Sequence, residues 1–166
     1  NFLKENKIPT LLTHHAEFMY TGGCAHAYDC ERWKTGCYEC PQSGDKSISF
    51  FFDRSKNHWN YLKDSYSGFN ELVVTCVSGW LETRVRQSPF FKNNRIEVVL
   101  NGLDTNVFTP TPFVELVEKY KLEAKKVILH ITPNFNEPLK GGKYVIALAE
   151  RFLNNHPNIH FIIIGR

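Results

Sequence analysis

The chain has 166 residues, of which 42% are hydrophobic and 22% are charged, and this is the composition of an ordinary globular protein. It contains no run of about 18 apolar residues, which argues against a membrane-spanning helix. The formal charge of +3 comes from lysines and arginines that are scattered among acidic residues, so we expect no nucleic-acid partner.

Strands and helices are predicted to alternate in the first part of the chain. The strands are short apolar runs, whereas the helices carry apolar residues at nearly helical spacing. The predicted strands are Ile8 to His15, Leu72 to Ser78 and Arg95 to Gly102, and the predicted helices are 48–65 and 79–88. This order is typical of a parallel sheet with helical connections.

The alternation restarts near Phe113. The predicted elements are a helix over 113–122, a strand over 125–132, an amphipathic helix over 140–155 and a strand over 158–166. We therefore predict an α/β protein with a second parallel sheet.

The segment 103–112, "LDTNVFTPTP", is rich in turn-forming residues and is predicted to link the two groups. The boundary of the two domains is expected between residues 108 and 109. Each sheet would have only two or three strands, and natural proteins cover bare apolar strand edges. We therefore expect the chain to be the central part of a longer protein.

A cysteine-rich loop is predicted over residues 21–46. Four of the five cysteines lie there, at positions Cys24, Cys30, Cys37 and Cys40. The C-x-x-C spacing at its end suits one half of a zinc site, while the first two cysteines are spaced more loosely. Bound zinc, disulfides and reduced thiols that pack the loop all fit this pattern.

Aromatic residues of the same loop are expected to form its own small core, namely Trp33, Tyr28 and Tyr38. The fifth cysteine, Cys76, lies in the apolar run "ELVVTCVS", where we expect a buried free thiol. An odd number of cysteines favours a reducing compartment.

Two histidines, His14 and His15, end the first predicted strand. In open parallel sheets, ligands bind outside the carboxyl ends of the strands, so a histidine there is a candidate for hydrogen bonding to a sugar or phosphate. A histidine that only caps the following loop fits the pattern as well.

A candidate anion site begins the helix in "NEPLKGGKYVIALAERF". Lys140, Gly141 and Gly142 lie at its amino end, where unpaired amides and the positive end of the helix dipole favour an anion such as a diphosphate. The pattern is neither a P-loop nor a dinucleotide fingerprint. A solvated turn with outward-pointing lysines is the alternative.

Four segments in order resemble the family-four retaining glycosyltransferases, specifically their polysaccharide-biosynthesis branch. The segments are "LLTHHAEFMYTGGC…DCERWKTGCYECP", "VVTCVSGWLETRVRQS", "VVLNGLDTNVFTP" and "ILHITPNFNEPLKGGKYVIALAERF". The resemblance implies the GT-B fold of two Rossmann-like domains. Residues 1–108 would belong to the acceptor-side domain and residues 109–166 to the donor-nucleotide domain.

The resemblance also implies a function. Such enzymes move a sugar from a nucleotide-diphosphate donor to a polysaccharide or lipid-linked acceptor with retention of configuration, here in bacterial cell-envelope assembly. His15 would contact the transferred sugar as the catalytic residue, and Lys140 with Gly141 and Gly142 would bind the donor diphosphate. No cofactor would be required beyond a possible structural zinc, and the protein would be cytoplasmic, with peripheral association at the inner face of the membrane.

The chain departs from the family pattern at several points. Asn134 and Phe135 stand where the family has an arginine before the lysine, and Ala16 stands where an aspartate often follows the histidine. The family's amino-terminal glycine-rich loop and carboxyl-terminal glutamate motif are not in the chain. We therefore expect the chain by itself to be inactive.

Two other functions compete with this interpretation. A zinc-stabilised α/β interaction module would be built around Cys24 to Cys40, but it leaves the Lys-Gly-Gly helix start unexplained. A nicotinamide-dependent oxidoreductase would need the G-x-G-x-x-G fingerprint, which the chain lacks.

Overall fold

The computed structural model describes residues 1–42, 52–153 and 155–166. They form two compact units, Asn1–Leu103 and Asp104–Arg166, and each unit has its own parallel sheet. The protein is thus an α/β protein with small parallel sheets flanked by helices, as the alternating pattern predicts. No helix within these residues is long and apolar enough to cross a membrane.

In its described residues, 1–42 and 52–103, the first unit contains a three-stranded parallel sheet and three α-helices. Its elements are α1 (Phe2–Glu5), β1 (Thr10–His14), α2 (Ser55–Tyr66), β2 (Leu72–Cys76), α3 (Gly79–Gln87) and β3 (Arg95–Val98). The strand order is β1-β2-β3, so β2 is central. His14 pairs with Cys76, and Cys76 pairs with Val98, which brings the carboxyl ends of the three strands to one edge.

The core of the first unit lies where α2 and α3 pack on the sheet. Trp59 and Leu62 of α2 and Leu81 and Val85 of α3 are buried there. The three- and four-residue spacings put each pair on one face of its helix. Phe91, which follows α3, completes the core, and its ring centroid lies 5.1 Å from that of Tyr66.

The first predicted helix, over 48–65, starts later than expected. Residues 48–51 lie outside the described residues, and 52–54 are not helical, so α2 begins at Ser55. The Asp53 carboxylate explains the start, because it accepts hydrogen bonds from the backbone amides of Ser55 and Cys40, both at 2.8 Å. This double contact ties the start of α2 to the cysteine-rich loop.

The third predicted strand is shorter than expected. It ends at Val98 instead of Gly102. The Val99 amide still donates to the Cys76 carbonyl at 2.9 Å, after which the exposed chain leaves the sheet. The short helix α1 has no clear signal in the sequence.

The part of the second unit that the structure describes, without residue 154, contains two α-helices and a two-stranded parallel sheet. Its elements are α4 (Val114–Tyr120), β4 (Lys126–Ile131), α5 (Gly142–Leu153) and β5 (Ile159–Ile164). The strands pair from Lys126 with Ile159 to Ile131 with Ile164. Leu122 is buried beneath the end of α4, whereas Ile131 and Leu153 are well exposed. The second unit therefore has a much smaller core than the first.

Phe91→Ala is expected to lower the free energy of unfolding of the first unit by about 3 to 5 kcal/mol, because Phe91 is only 1% exposed and the smaller side chain leaves a cavity. The matched control is Phe2→Ala, since Phe2 is 70% exposed and should change stability by less than about 0.5 kcal/mol. All three tryptophans, Trp33, Trp59 and Trp80, lie in the first unit, so tryptophan fluorescence during urea unfolding reports on this unit alone. If both variants lost the same free energy of unfolding, Phe91 would not belong to the core of the first unit.

Candidate functional site

The two histidines at the end of β1 lie in opposite environments. His14 is 1% exposed and packs between the rings of Tyr20 and Phe91, with ring centroids 5.8 and 5.3 Å away. His15 is exposed and makes no hydrogen bond or ion pair within the described residues. The alternation of a strand explains the difference, because successive side chains point to opposite faces.

His14 is held as a neutral imidazole. Neither ring nitrogen has a hydrogen-bond partner among the described residues. Burial lowers the pKa of His14 to about 4, and the nearby backbone of Ala16 opposes this shift only in part. A neutral imidazole at neutral pH has one donor and one acceptor nitrogen, and only the contact with the Ala16 backbone engages either of them among the described residues.

A buried carboxylate follows the histidines. Glu17 is 1% exposed, and its two oxygens accept hydrogen bonds from the Tyr20 hydroxyl at 2.9 Å and the Ala27 amide at 2.7 Å. Its Oε1 also pairs with Arg84 Nε of α3 at 2.5 Å. Burial and the neighbouring Glu17 carboxylate raise the pKa of Tyr20, which therefore stays a phenol.

Arg84 links this carboxylate to the aromatic residues around it. Its guanidinium lies 5.0 Å from the Trp33 ring centroid and 5.2 Å from that of Trp80. Burial alone would lower the pKa of Arg84, but the contacts with Glu17 and Tyr20 outweigh it and raise the pKa. Its Nη2 atom is buried and has no hydrogen-bond partner among the described residues.

The sequence reasoning missed the Glu17–Arg84 pair. A signal was present, because Glu17 is the only acidic residue between Glu5 and Asp29, and it lies in a segment of aromatic and small residues. A lone carboxylate in such surroundings is usually buried with a partner. The sequence does not indicate which basic residue is that partner.

The cysteine-rich loop packs against this network, but its core differs from the predicted one. Trp33 is buried as expected and contacts Tyr20, with ring centroids 5.0 Å apart, whereas Tyr28 and Tyr38 are exposed. The prediction of a core from Trp33, Tyr28 and Tyr38 is therefore wrong for the two tyrosines. Tyr20, whose hydroxyl is satisfied by Glu17, is buried there instead.

All five cysteines are free thiols. Cys76 is buried in β2, as expected from its apolar surroundings. Among the described residues, no set of three or more His, Cys, Asp or Glu side chains is already arranged around a metal position. Burial raises the pKa of the Cys24 thiol, and the neighbouring Cys40 adds to the shift, so Cys24 stays protonated at neutral pH.

A cavity of about 660 Å³ lies between the end of this loop and α2. Tyr38 and Glu39 line one side, and Lys56, Asn60 and Lys63 of α2 line the other. The lining combines an exposed aromatic ring with hydrogen-bonding and charged groups. Such a lining suits a polar organic ligand.

The Lys-Gly-Gly segment of the second unit lies at the carboxyl end of β4, as predicted. A short 3₁₀ turn, Pro138–Lys140, leads through Gly141 into α5. The Lys140 side chain is exposed, and no acceptor is found within the described residues for the amides of Gly142 and Lys143. Two free amides and a lysine therefore share the amino end of a twelve-residue helix.

The two glycines have different structural roles. Gly141 has φ +75°, a left-handed conformation that other residues rarely adopt. A Cβ on Gly142 would lie 2.3 Å from the Phe135 carbonyl oxygen, so a side chain there would collide with the preceding loop. Gly142 is thus required for packing of the loop against α5, independently of any ligand.

Comparison with protein-family models, curated protein sequences and solved structures finds no match to this chain.

Glu17→Gln is expected to lower the free energy of unfolding of the first unit by about 3 kcal/mol, because Arg84 would lose its buried counter-charge. The control is Glu82→Gln in the exposed pair with Arg86 on α3, which should cost less than about 1 kcal/mol. Urea unfolding followed by tryptophan fluorescence measures both. Similar costs for the two variants would show that the buried pair contributes no more than a surface pair.

His14 is expected to make the first unit less stable as the pH falls. Its pKa is about 4 in the folded protein and about 6.5 when unfolded, so below pH 6.5 the unfolded chain binds a proton that the folded protein does not. The free energy of unfolding falls until the pH reaches about 4, and the decrease between pH 7.5 and pH 5 is about 2 kcal/mol. In the same urea assay, His14→Phe should remove this part of the pH dependence, whereas His15→Phe should retain it. An unchanged pH profile in His14→Phe would contradict burial of a neutral imidazole.

Proposed function

We propose that the chain is part of a nucleotide-sugar-dependent glycosyltransferase of the GT-B type. The observation that carries the proposal is the amino end of α5, where Lys140 and two amides that have no acceptor within the described residues follow a parallel strand. In parallel α/β sheets, this is the edge at which phosphate-bearing ligands bind. The ordered sequence resemblance to family-four glycosyltransferases supports the same function.

Lys140 and the first amides of α5 would bind the diphosphate of the donor. As the bond between the sugar and the diphosphate breaks, negative charge develops on the leaving group. Fixed positive groups that bind this charge more strongly in the transition state than in the ground state accelerate the reaction. Lys143, also exposed and in the first turn of α5, would add to the positive potential there.

His15 would contact the transferred sugar. It is exposed at the carboxyl end of β1, so its imidazole is available to hydrogen-bond a sugar hydroxyl. His14 supports this role by fixing the end of the strand within the core. Residues 1–108 would then supply the acceptor side and residues 109–166 the donor-nucleotide side.

The acceptor would be a glycan or a lipid-linked glycan of the cell envelope, with retention of configuration at the sugar. The cavity between the cysteine-rich loop and α2 supports a polar acceptor, because it offers an aromatic ring together with lysine and asparagine side chains. The reaction would take place in the cytoplasm, at the inner face of the membrane when the acceptor is lipid-linked.

Lys140→Ala in the full-length enzyme is expected to lower kcat/KM for sugar transfer by about 30- to 900-fold, equivalent to about 2 to 4 kcal/mol of transition-state stabilisation. The control is Lys119→Ala, which removes the same charge from α4 of the same unit and should leave the rate unchanged. Transfer from UDP-, GDP- and dTDP-sugars is measured together with calorimetric binding of each donor. If the Lys140→Ala enzyme transferred sugar with the kcat/KM of the wild type, Lys140 would not have the proposed role.

A well-folded full-length protein that bound none of these donors would contradict the glycosyltransferase function itself. The zinc-stabilised interaction module would then be the better explanation, because it places the function in the cysteine-rich loop. The two functions also differ in the second unit, since the interaction module assigns no role to Lys140.

A further inference from the structure

The cavity beside α2 has one wall made by polar side chains of that helix. Lys56, Asn60 and Lys63 line it, and their spacing of four and three residues puts them on one face of α2. All three are exposed, and none of the three side chains makes a hydrogen bond or an ion pair within the described residues. The Lys63 ammonium lies 5.4 Å from the Trp59 ring centroid, which holds this side chain along the wall. The helix therefore offers three hydrogen-bonding groups to a ligand.

The C-x-x-C turn, residues 37–40, forms the opposite wall. Its two inner residues, Tyr38 and Glu39, line the cavity, and both are exposed. Arg32 fixes the turn, because its Nη1 atom donates to the carbonyls of Tyr38, at 2.7 Å, and Glu39. The Arg32 guanidinium also lies over the Tyr38 ring, 5.1 Å from its centroid, while Tyr38 remains 52% exposed. The turn thus presents a ring and a carboxylate, and neither is used in a hydrogen bond within the part of the chain that the structure describes.

Asp53 joins the two walls of the cavity. Its carboxylate accepts hydrogen bonds from the Cys40 amide at the end of the turn and from the Ser55 amide at the start of α2, both at 2.8 Å. Glu39 has φ +44°, a strained left-handed conformation that persists only where the surrounding contacts hold it. The cavity is therefore formed without a ligand, and a preformed site loses less conformational entropy on binding.

The charges that line the cavity balance one another. Lys56 and Lys63 are matched by the carboxylates of Glu39 and Asp53, and the described lining has no other charged residue. The cavity thus lacks the excess of positive charge that would favour a ligand rich in phosphate or carboxylate groups. The lysines donate hydrogen bonds, Glu39 accepts them, and the Asn60 amide does both. A hydroxyl group also donates and accepts, so a ligand with many hydroxyls matches this mixture.

The size of the cavity and the Tyr38 ring indicate what carries these hydroxyls. The volume of about 660 Å³ lies within the range of about 300 to 1,000 Å³ that is typical of sites for small organic ligands. An aromatic ring packs well against apolar C–H groups. A pyranose sugar has C–H groups on the faces of its ring and hydroxyls around the edge, so it can use the ring and the polar groups together.

The cavity is separate from the carboxyl edge of the sheet. Its described lining includes neither His15 nor any residue of β1, β2 or β3. A sugar unit bound in the cavity would therefore not be the one that His15 contacts. A glycan that reaches both places must extend from the strand ends to the helix α2.

We propose that the cavity binds about one or two uncharged sugar units of a glycan acceptor, as a distal subsite that holds the chain away from the transferred sugar. One sugar ring packs on Tyr38, Glu39 accepts hydrogen bonds from its hydroxyls, and Lys56 and Asn60 donate to them. The role as an acceptor subsite rests on the proposed glycosyltransferase function. The binding of an uncharged glycan at the cavity does not, and it is measured separately.

The first test measures binding of uncharged glycans to the full-length protein without a nucleotide sugar. The probes are the linear tetrasaccharides of glucose, galactose, mannose and N-acetylglucosamine, with tetragalacturonate as the acidic counterpart of the galactose compound. NMR titration gives the Kd of each. We expect at least one uncharged tetrasaccharide to bind more tightly than tetragalacturonate. Its Kd should change by less than about twofold between about 0.05 and 0.5 M NaCl, because salt screens charges and leaves ring packing intact.

Two variants with matched controls locate the site. Tyr38→Ala and Asn60→Ala should each raise the Kd of that tetrasaccharide by at least about fivefold, because they remove the packing ring and a group that both donates and accepts. Tyr61→Ala and Asn57→Ala change exposed residues of the same types on α2 that lie outside the described lining, and they should bind like the wild type. All four positions are exposed, so we expect the variants to fold, and the urea midpoint of the tryptophan fluorescence transition checks this.

The length of the acceptor provides a kinetic test in the full-length enzyme. A distal subsite lowers the KM of a tetrasaccharide acceptor relative to that of the corresponding monosaccharide, because only the longer chain reaches the cavity. Tyr38→Ala should cancel this difference by raising the KM of the tetrasaccharide, whereas Lys140→Ala should lower kcat/KM for acceptors of both lengths. If Tyr38 had only a structural role, its removal would affect the two acceptors equally.

Three results would overturn the subsite. The first is a wild-type protein that binds none of the uncharged tetrasaccharides. The second is a Kd that is the same in Tyr38→Ala and Asn60→Ala as in their controls. The third is tighter binding of tetragalacturonate than of every uncharged probe, weakened by salt, which would assign the cavity to an acidic ligand.

Failure of the subsite and failure of the proposed function can be told apart. If a nucleotide sugar binds in a manner that depends on Lys140 and no uncharged tetrasaccharide binds, only the subsite is wrong. If a tetrasaccharide binds at the cavity and no nucleotide sugar binds, the cavity is a glycan-binding site and the glycosyltransferase function is contradicted.

Discussion

The buried carboxylate of Glu17 holds together the part of the first unit on which its candidate sites depend. A carboxylate without partners in a protein interior costs several kcal/mol, so it persists only where the surroundings satisfy it. Glu17 receives hydrogen bonds from its own loop, at Tyr20 and Ala27, and an ion pair from Arg84 of α3. The loop after β1 is therefore fixed to a helix that lies more than sixty residues further along the chain.

Aromatic packing extends this attachment in two directions. Tyr20, oriented by Glu17, contacts the ring of His14 on one side and that of Trp33 on the other. His14 ends β1, and Trp33 donates to the carbonyl of Cys30 in the cysteine-rich loop. The strand end that carries His15 and the loop that carries the thiols thus share one buried support. A change at Glu17 would be transmitted to both sites.

The sequence is sufficient to predict the fold class and the order of the elements from β1 to β5, because apolar runs and helical spacing depend on neighbouring residues. The ends of the elements are less predictable. The helix α2 starts late because the Asp53 carboxylate accepts a hydrogen bond from the Cys40 amide, and no local sequence pattern indicates this contact. The burial of Tyr20 instead of Tyr38 has a similar cause. Both rings could fill a loop core, and the partner of the hydroxyl decides between them, because Tyr20 alone has Glu17 within reach. The partner Arg84 could not be predicted, because the contact joins distant parts of the chain.

The two units position their candidate site residues by different means. In the first unit, packed side chains do so, and the position of His14 is set by the rings on either side of it. The second unit buries few side chains, so the backbone must fix the start of α5. The Phe135 amide donates to the Arg166 carbonyl at 2.8 Å. The Phe135 carbonyl oxygen lies so close to Gly142 that a residue with a Cβ at position 142 would collide with it. The beginning of α5 is therefore determined by main-chain contacts. The amides of Gly142 and Lys143 are thus held in place independently of the exposed Lys140 side chain, which is the preorganisation that the proposed diphosphate site requires.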